Sequence, residues 1–413
     1  MSIRIRKAIV LCTGILVFAL GFQYCMDHTS SEQTYQPDSK AASLLRQSRE
    51  AFRKFDYKSA LLLADSAEHY DPDWPDVHYV RGLILDKLSQ LEASREAYQA
   101  ALTREPDFPG VRFNLGNVMY RDKQYRDALQ YYQQALDRYD REKAGFRAAD
   151  ILLNMGMAYD QLGVRDSAVW AYERVMAVDD SCASAYMLLA REYQNDGEIN
   201  KALELARTAL ELRPDDPNYH YTVGSLYYQL GEFERAVRHL STTLSQHSWD
   251  YRAHHTLGQT LMRMGREEDG QKFLVRADTL RNRLSDIVAL EQEALDKPNN
   301  MMLWANLGRE LARIGNDPEA IRVMHRALAL DPGNIALLNN LAYLEIRTGD
   351  TTRAIRRFRT ILKQDPSRTG IWSNLAVTLT RAGSLKAARH AWEQVLKAYP
   401  DDSLALAYLK KLR

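Results

Sequence analysis

Beyond residue 40 the chain repeats one pattern of small, apolar and polar positions every 34 residues. One position of the period is always small: Ser48, Gly82, Gly116, Gly156, Ala190, Gly224, Gly258, Gly308, Ala342 and Ala376. Twelve residues after each comes a second small residue, at Ala60, Ser94, Ala128, Ala168, Ala202, Ala236, Gly270, Ala320, Ala354 and Ala388. Glycine inside a helix costs ~1 kcal/mol relative to alanine, so its recurrence requires a packing reason. The pattern predicts two antiparallel helices per period, crossing so closely at these two points that no larger side chain fits. A third small position, held by Ala67, Ala101, Ala135, Ala209, Ala277 and Ala327, lets the next unit's first helix settle against the second. Proline closes six units, at Pro72, Pro106, Pro214, Pro332, Pro366 and Pro400, where a helix must stop. Gly163, Gly197, Gly231, Gly265, Gly315, Gly349 and Gly383 mark the turn inside each later hairpin.

Residues 301–334 carry the fullest copy, with Trp304, Leu307, Gly308, Leu311, Ala320, Ala327 and Pro332. On these positions the chain resembles the tetratricopeptide repeat family from residue 41 to 402. The resemblance implies an all-α, right-handed α-α superhelical solenoid of ten helix-turn-helix units. They begin near residues 41, 75, 109, 149, 183, 217, 251, 301, 335 and 369. The period is broken twice, by residues 143–148 and by sixteen residues at 285–300. Ile287, Ala289, Leu290, Ala294 and Leu295 make the second insert a helical spacer between repeats 1–7 (41–284) and repeats 8–10 (301–402). Residues 403–413 read as a capping helix, with Ser403 as N-cap and Leu404, Tyr408 and Leu412 against the last unit.

Ahead of the repeats, Arg4, Arg6 and Lys7 precede an apolar run over residues 8–22, and a polar linker follows at 27–40. Residues 1–26 therefore read as a signal-anchor, close to the ~20 residues a membrane span requires. A cleaved signal and lipid attachment at Cys25 are the alternatives. The expected location is a single-pass membrane protein with its C-terminal part outside the cytoplasm, periplasmic in a bacterium, or secreted after cleavage.

The 55 basic and 54 acidic side chains nearly cancel, which argues against a dedicated nucleic-acid binder. They are unevenly spread. Residues 1–250 hold 29 basic and 36 acidic side chains, a net of −7, and residues 251–413 hold 26 and 18, a net of +8. Arg353, Arg356, Arg357, Arg359 and Lys363 form a basic patch on the second helix of the ninth unit. Such a patch suits anionic lipid, an acidic polymer or an acidic protein, and the charge split allows a head-to-tail homo-oligomer.

Chemistry is sparse. Cys182 is the one cysteine in the repeats, and no glycine-rich phosphate loop, His-Glu-x-x-His helix or Gly-x-Ser-x-Gly elbow occurs. His239, His247, His254 and His255 cluster loosely, but their spacing fits no tetrahedral metal site. No catalytic residue, metal or cofactor is expected.

In the family, first helices line a concave surface that takes an extended peptide or a helix of a protein partner. Carried over, that register selects Asn114, Asn117, Tyr120, Arg121, Asn154, Met157 and Arg191 in the front half of the array. Behind them it selects Tyr221, Tyr228, His255, Arg309, Asn339, Asn340, Tyr343 and Asn374. The recurrent asparagines either bond a peptide backbone or bridge neighbouring units. Asn117 and Asn154 match two places of the chaperone-tail clamp, but Phe113, Ser184 and Leu188 stand where its basic residues belong. A basic edge position recurs at Arg53, Lys87, Arg121, Arg263, Arg313, Arg347 and Arg381. The expected function is a non-enzymatic, membrane-tethered and exported interaction scaffold for a cell-envelope or secretion complex. The alternative is a solenoid that binds an envelope polysaccharide or anionic lipid.

Overall fold

The computed structural model describes residues 35–139 and 147–411, which form helices and short turns with no strand among them. Two compact units divide the chain, one ending at Pro214 and the other beginning at Asp215. In the first, hairpin 1 pairs Ser39–Arg53 with Tyr57–Tyr70, and hairpin 2 pairs Pro75–Lys87 with Leu91–Arg104. Hairpin 3 is Val111–Arg121 with Tyr125–Asp137, hairpin 4 Ala148–Leu162 with Arg165–Val178, and hairpin 5 Ala183–Asn195 with Ile199–Leu212. In the second, hairpin 6 is Pro217–Gln229 with Phe233–Gln246, and hairpin 7 is Tyr251–Arg263 with Glu267–Asp296. Hairpin 8 is Met301–Ile314 with Asp317–Leu330, hairpin 9 Ile335–Arg347 with Thr351–Gln364, and hairpin 10 Leu385–Ala398 packed on Thr369–Arg381. A single helix, Ser403–Lys411, follows.

The two helices of a hairpin do cross at the paired small positions. Ser48 Oγ donates to the Ala60 carbonyl at 2.7 Å, and Ser94 Oγ donates to the Gly82 carbonyl at 2.8 Å, each across the hairpin. A hydroxyl reaches the opposite backbone only where no side chain intervenes. A second reason for the glycines lies sixteen residues on. The buried rings of Tyr98, Tyr132 and Tyr172 lie flat over Gly82, Gly116 and Gly156, and a Cβ on Gly82 would meet ring carbons at 2.5 Å. Leu240, Leu274 and Met324 fill the same place over Gly224, Gly258 and Gly308.

The seven turn glycines all have positive φ, between 72° and 96°. In hairpins 1–3 the equivalent residues are Phe55, Ser89 and Lys123, at φ 62°, 60° and 64°. The left-handed turn is thus kept even where a side chain makes it unfavourable.

The sixteen-residue insert is helical to Asp296 and continues the second helix of hairpin 7 as one 30-residue helix. Leu280, Ile287 and Ala294, seven residues apart, are buried on one of its faces. They share a core with Trp304, Leu307 and Leu311 of hairpin 8. The twelve helical residues of the insert add about 18 Å of helix, so hairpin 8 packs along the extension. Its far end returns to the start of hairpin 7, where Trp249 and Tyr251 pack on the core containing Ile314. Gly315 sits so close to Ser248 that a Cβ there would be 2.8 Å from the hydroxyl.

Two expectations need correction. Asp402, not Ser403, caps the last helix, its carboxylate accepting from the Ala405 amide at 2.8 Å. That helix buries Ala405 and stacks Tyr408 on Trp392 at 4.9 Å, leaving Leu404 exposed; Leu412 lies outside the described residues. The single-pass membrane location is also corrected: no helix among the described residues is long and apolar enough to cross a membrane. Residues 1–34, on which the anchor was read, lie outside the described residues.

Candidate functional site

The first helices of hairpins 3–5 bring the predicted polar residues together, but mostly onto one another. The Asn114 side-chain amide donates to Tyr79 Oη at 3.2 Å. Asn117 Oδ1 accepts from both Tyr132 Oη and Asn154 Nδ2, at 2.9 Å each. All three asparagines are 5–6% exposed. Each bridges adjacent hairpins, since a buried amide costs free energy unless it is hydrogen-bonded. Tyr132 and Tyr172 explain part of the tyrosine excess: each ring fills the space over a glycine and sends its hydroxyl to the first-helix face.

Charged residues form further rungs. Arg121 donates to the Asp86 carbonyl at 3.0 Å and pairs with its carboxylate. Asp160 accepts from Tyr172 Oη at 2.6 Å and from Arg191 at 2.8 Å. Burial nevertheless pushes the Asp160 carboxyl up, against those hydrogen bonds. Tyr120 lies half-buried, its ring 5.4 Å from that of Tyr125. Burial first, then Tyr125 and the Asp160 charge, push its hydroxyl up to about 12. Met157 is half-buried on the same face.

In the second unit the face is more open. The Arg252 guanidinium lies over the Tyr221 ring at 4.6 Å, Tyr228 packs near Phe233, and His255 is exposed. Arg309 is exposed and bonded to the Asn306 side chain. Asn340 is half-buried, as is Asn339, whose carboxamide oxygen has no partner among the described residues. Tyr343 is 46% exposed and accepts from Asn374 Nδ2 at 2.7 Å.

The basic patch divides. Arg357 turns inward, its Nε donating to both carboxylate oxygens of buried Glu345 at 2.8 and 2.9 Å, and Arg353 pairs with Asp350 at 3.1 Å. Arg356, Arg359 and Lys363 stay exposed.

The histidines have structural roles. The ring nitrogen of the fourth residue of a hairpin donates to the carbonyl six residues earlier: His78 to Pro72 at 2.7 Å and His254 to Ser248 at 3.0 Å. Trp304 and Trp372 do the same to Pro298 and Pro366, both at 2.9 Å. His247 stacks on Trp249, and His239 faces His220 with their Nδ1 atoms 3.0 Å apart. Among the described residues no group of three or more His, Cys, Asp or Glu could hold a metal ion.

The asparagines and arginines selected from the sequence for this face lie on first helices. Their partners Tyr79, Asp86 and Tyr132 were not legible from the sequence, because each lies a helix or a whole hairpin away along the chain.

Tetratricopeptide repeat models match residues 45–107 and 110–181, and a model of anaphase-promoting complex (cyclosome) subunit 3 matches 163–243. The TPR domain of cytochrome c-type biogenesis protein H matches 281–405. No curated protein matches the chain. Among solved structures it is similar to PilW, a widely conserved type IV pilus biogenesis factor, at 18% identity and TM-score 0.47 over 54% of this chain and 99% of that one. PilF of Pseudomonas aeruginosa gives 14%, 0.45, 52% and 96%. YrrB, a TPR protein with an unusual peptide-binding site, gives 18%, 0.37, 46% and 95%. With its hairpins and family matches, the chain is an all-α solenoid of tetratricopeptide helix-turn-helix repeats.

Proposed function

We propose that this solenoid is a non-enzymatic scaffold that holds segments of partner proteins on its first-helix face during assembly of a cell-envelope or secretion complex. One observation carries the reading: in the second unit, His255, Arg309 and Tyr343 remain exposed on first helices. The equivalent side chains of hairpins 3 and 4 are Phe113, Asn117, Leu153 and Met157, all buried or half-buried, with Asn117 bonded to Tyr132 and Asn154. The match of residues 281–405 to a biogenesis-protein TPR domain supports an assembly role. A photocrosslinking residue at His255 or Tyr343 should capture a defined protein, and one at Leu62, on an outer second helix, should not. Equal capture from both positions, or none from either, would sink the scaffold.

A second reading rests on Arg356, Arg359 and Lys363, which are exposed without an ion-pair partner among the described residues. They suit an anionic envelope polysaccharide or lipid. Retention of such ligands that is unchanged by Arg356→Glu with Arg359→Glu would remove it.

A further inference from the structure

We infer that the first-helix face of hairpins 8–10 selects an extended acidic peptide, with an acidic side chain near every third residue; this rests on the scaffold reading and narrows it. Three successive hairpins repeat the same two polar positions at intervals of 34 residues. Asn306, Asn340 and Asn374 occupy one, and Arg313, Arg347 and Arg381 the other. All three arginines are exposed, as is Arg309 in the middle of the hairpin 8 helix.

The acids on this face do not cancel those charges. Glu310 is half-buried and shared between Arg283, at 3.3 Å, and Arg313. Asp317 is 9% exposed and is held by Arg347 at 2.8 Å. Arg309 has only the neutral Asn306 side chain, and Arg381 has no ion-pair partner among the described residues. Four exposed guanidinium groups therefore face two enclosed carboxylates, and the balance is cationic.

The contrast with hairpins 3–5 sharpens the choice. There the asparagines are buried, Asn114 bonded to Tyr79 and Asn154 to Asn117, and the exposed Arg191 is neutralised by Asp160. Here the Asn374 amide reaches across to Tyr343 Oη, which shows that the first helices of hairpins 9 and 10 meet through side chains and leaves the carboxamide oxygen to accept a peptide N–H. Helices packed about 10 Å apart are spanned by about three residues of extended chain. An acidic side chain at every third position would then meet Arg313, Arg347 and Arg381 in turn. Guanidinium groups bind carboxylates in a two-pronged, charge-assisted manner, which rewards that match.

The test uses the full chain and a fluorescent peptide of Glu-Ser-Ser repeats, read by anisotropy, with a Gln-Ser-Ser peptide as the neutral isostere. The acidic peptide should bind, weaken with added salt, and lose about tenfold or more with Arg309→Glu and Arg381→Glu together. Both side chains are exposed, so unchanged melting should verify folding of the variant. Reversal of Arg356 and Arg359 on the outer helix should leave binding unaltered. Absent binding at low salt, equal binding of the neutral peptide, or loss with the outer variant instead would each overturn the inference. A neutral partner segment crosslinked at Tyr343 would overturn it too, yet leave the scaffold reading intact; no capture from the face at all would remove the scaffold itself.

Discussion

At Gly82 a single methyl group has nowhere to go. Its Cβ would enter the ring of Tyr98, which is 1% exposed and held between two helices. Gly82→Ala is therefore expected to destabilise the protein by about 1–3 kcal/mol, despite alanine's better helix propensity. Unchanged or raised thermal stability would show that the ring yields. The turn residues run the other way. Lys123 is exposed and left-handed at φ 64°, where glycine stands in seven later hairpins. Lys123→Gly should add about 0.5–1 kcal/mol, the relief of left-handed strain less the entropy glycine loses on folding. Chemical denaturation of the variant checks the sign. The small positions were legible because their chemistry never varies across ten units. The tyrosine over them was not, since its place is taken by leucine or methionine elsewhere. Nor were Phe55, Ser89 and Lys123, whose side chains give no sign of a positive φ.

At the scale of one element, the hydrogen bond from the fourth residue of a hairpin closes the joint between hairpins, with indole and imidazole as alternatives. Burial, chiefly, holds the His78 and His254 imidazoles below the ordinary histidine value of about 6.5. A lowered histidine favours the neutral form in the folded state. Its share of stability is complete above that ordinary value and is lost as pH falls through the folded one. The carboxyls of Asp160, Asp317 and Glu345, raised mainly by burial, act in the opposite direction as pH falls. The informative quantity is thus the difference between variant and parent. His254→Trp keeps the N–H donor and removes the titration, so the melting temperature of the variant should fall less between pH 7 and pH 5. Parallel curves would mean that His254 is free to protonate in place. The candidate site was legible at this scale as a recurrence of asparagine and arginine on one helix face. Which of them are already occupied was not, because Asn117 meets Asn154 and Arg121 meets Asp86 across separations of 37 and 35 residues.

At the scale of the whole molecule, ten periods and two interruptions could be counted from sequence, but not what the longer interruption does. Its apolar residues show a helix, and only the packing shows that this helix is the continuation of the one before it. Repeat arrays ordinarily behave as neighbours joined by separable interfaces, each able to open on its own. Hairpins 7 and 8 lack that freedom, because the 30-residue helix belongs to the core of both. Ala289→Pro, on an exposed position of the extension, should cost about 3 kcal/mol or more by removing a helix hydrogen bond. It should also divide the melting of the second unit into two steps. A single sharp transition at lower temperature would mean that the two hairpins are joined by their core contacts alone. If the helix is the link, the segment inserted between repeats acts as a thermodynamic clasp: local opening at one hairpin propagates to the next, and the interruption is where the array is most cooperative.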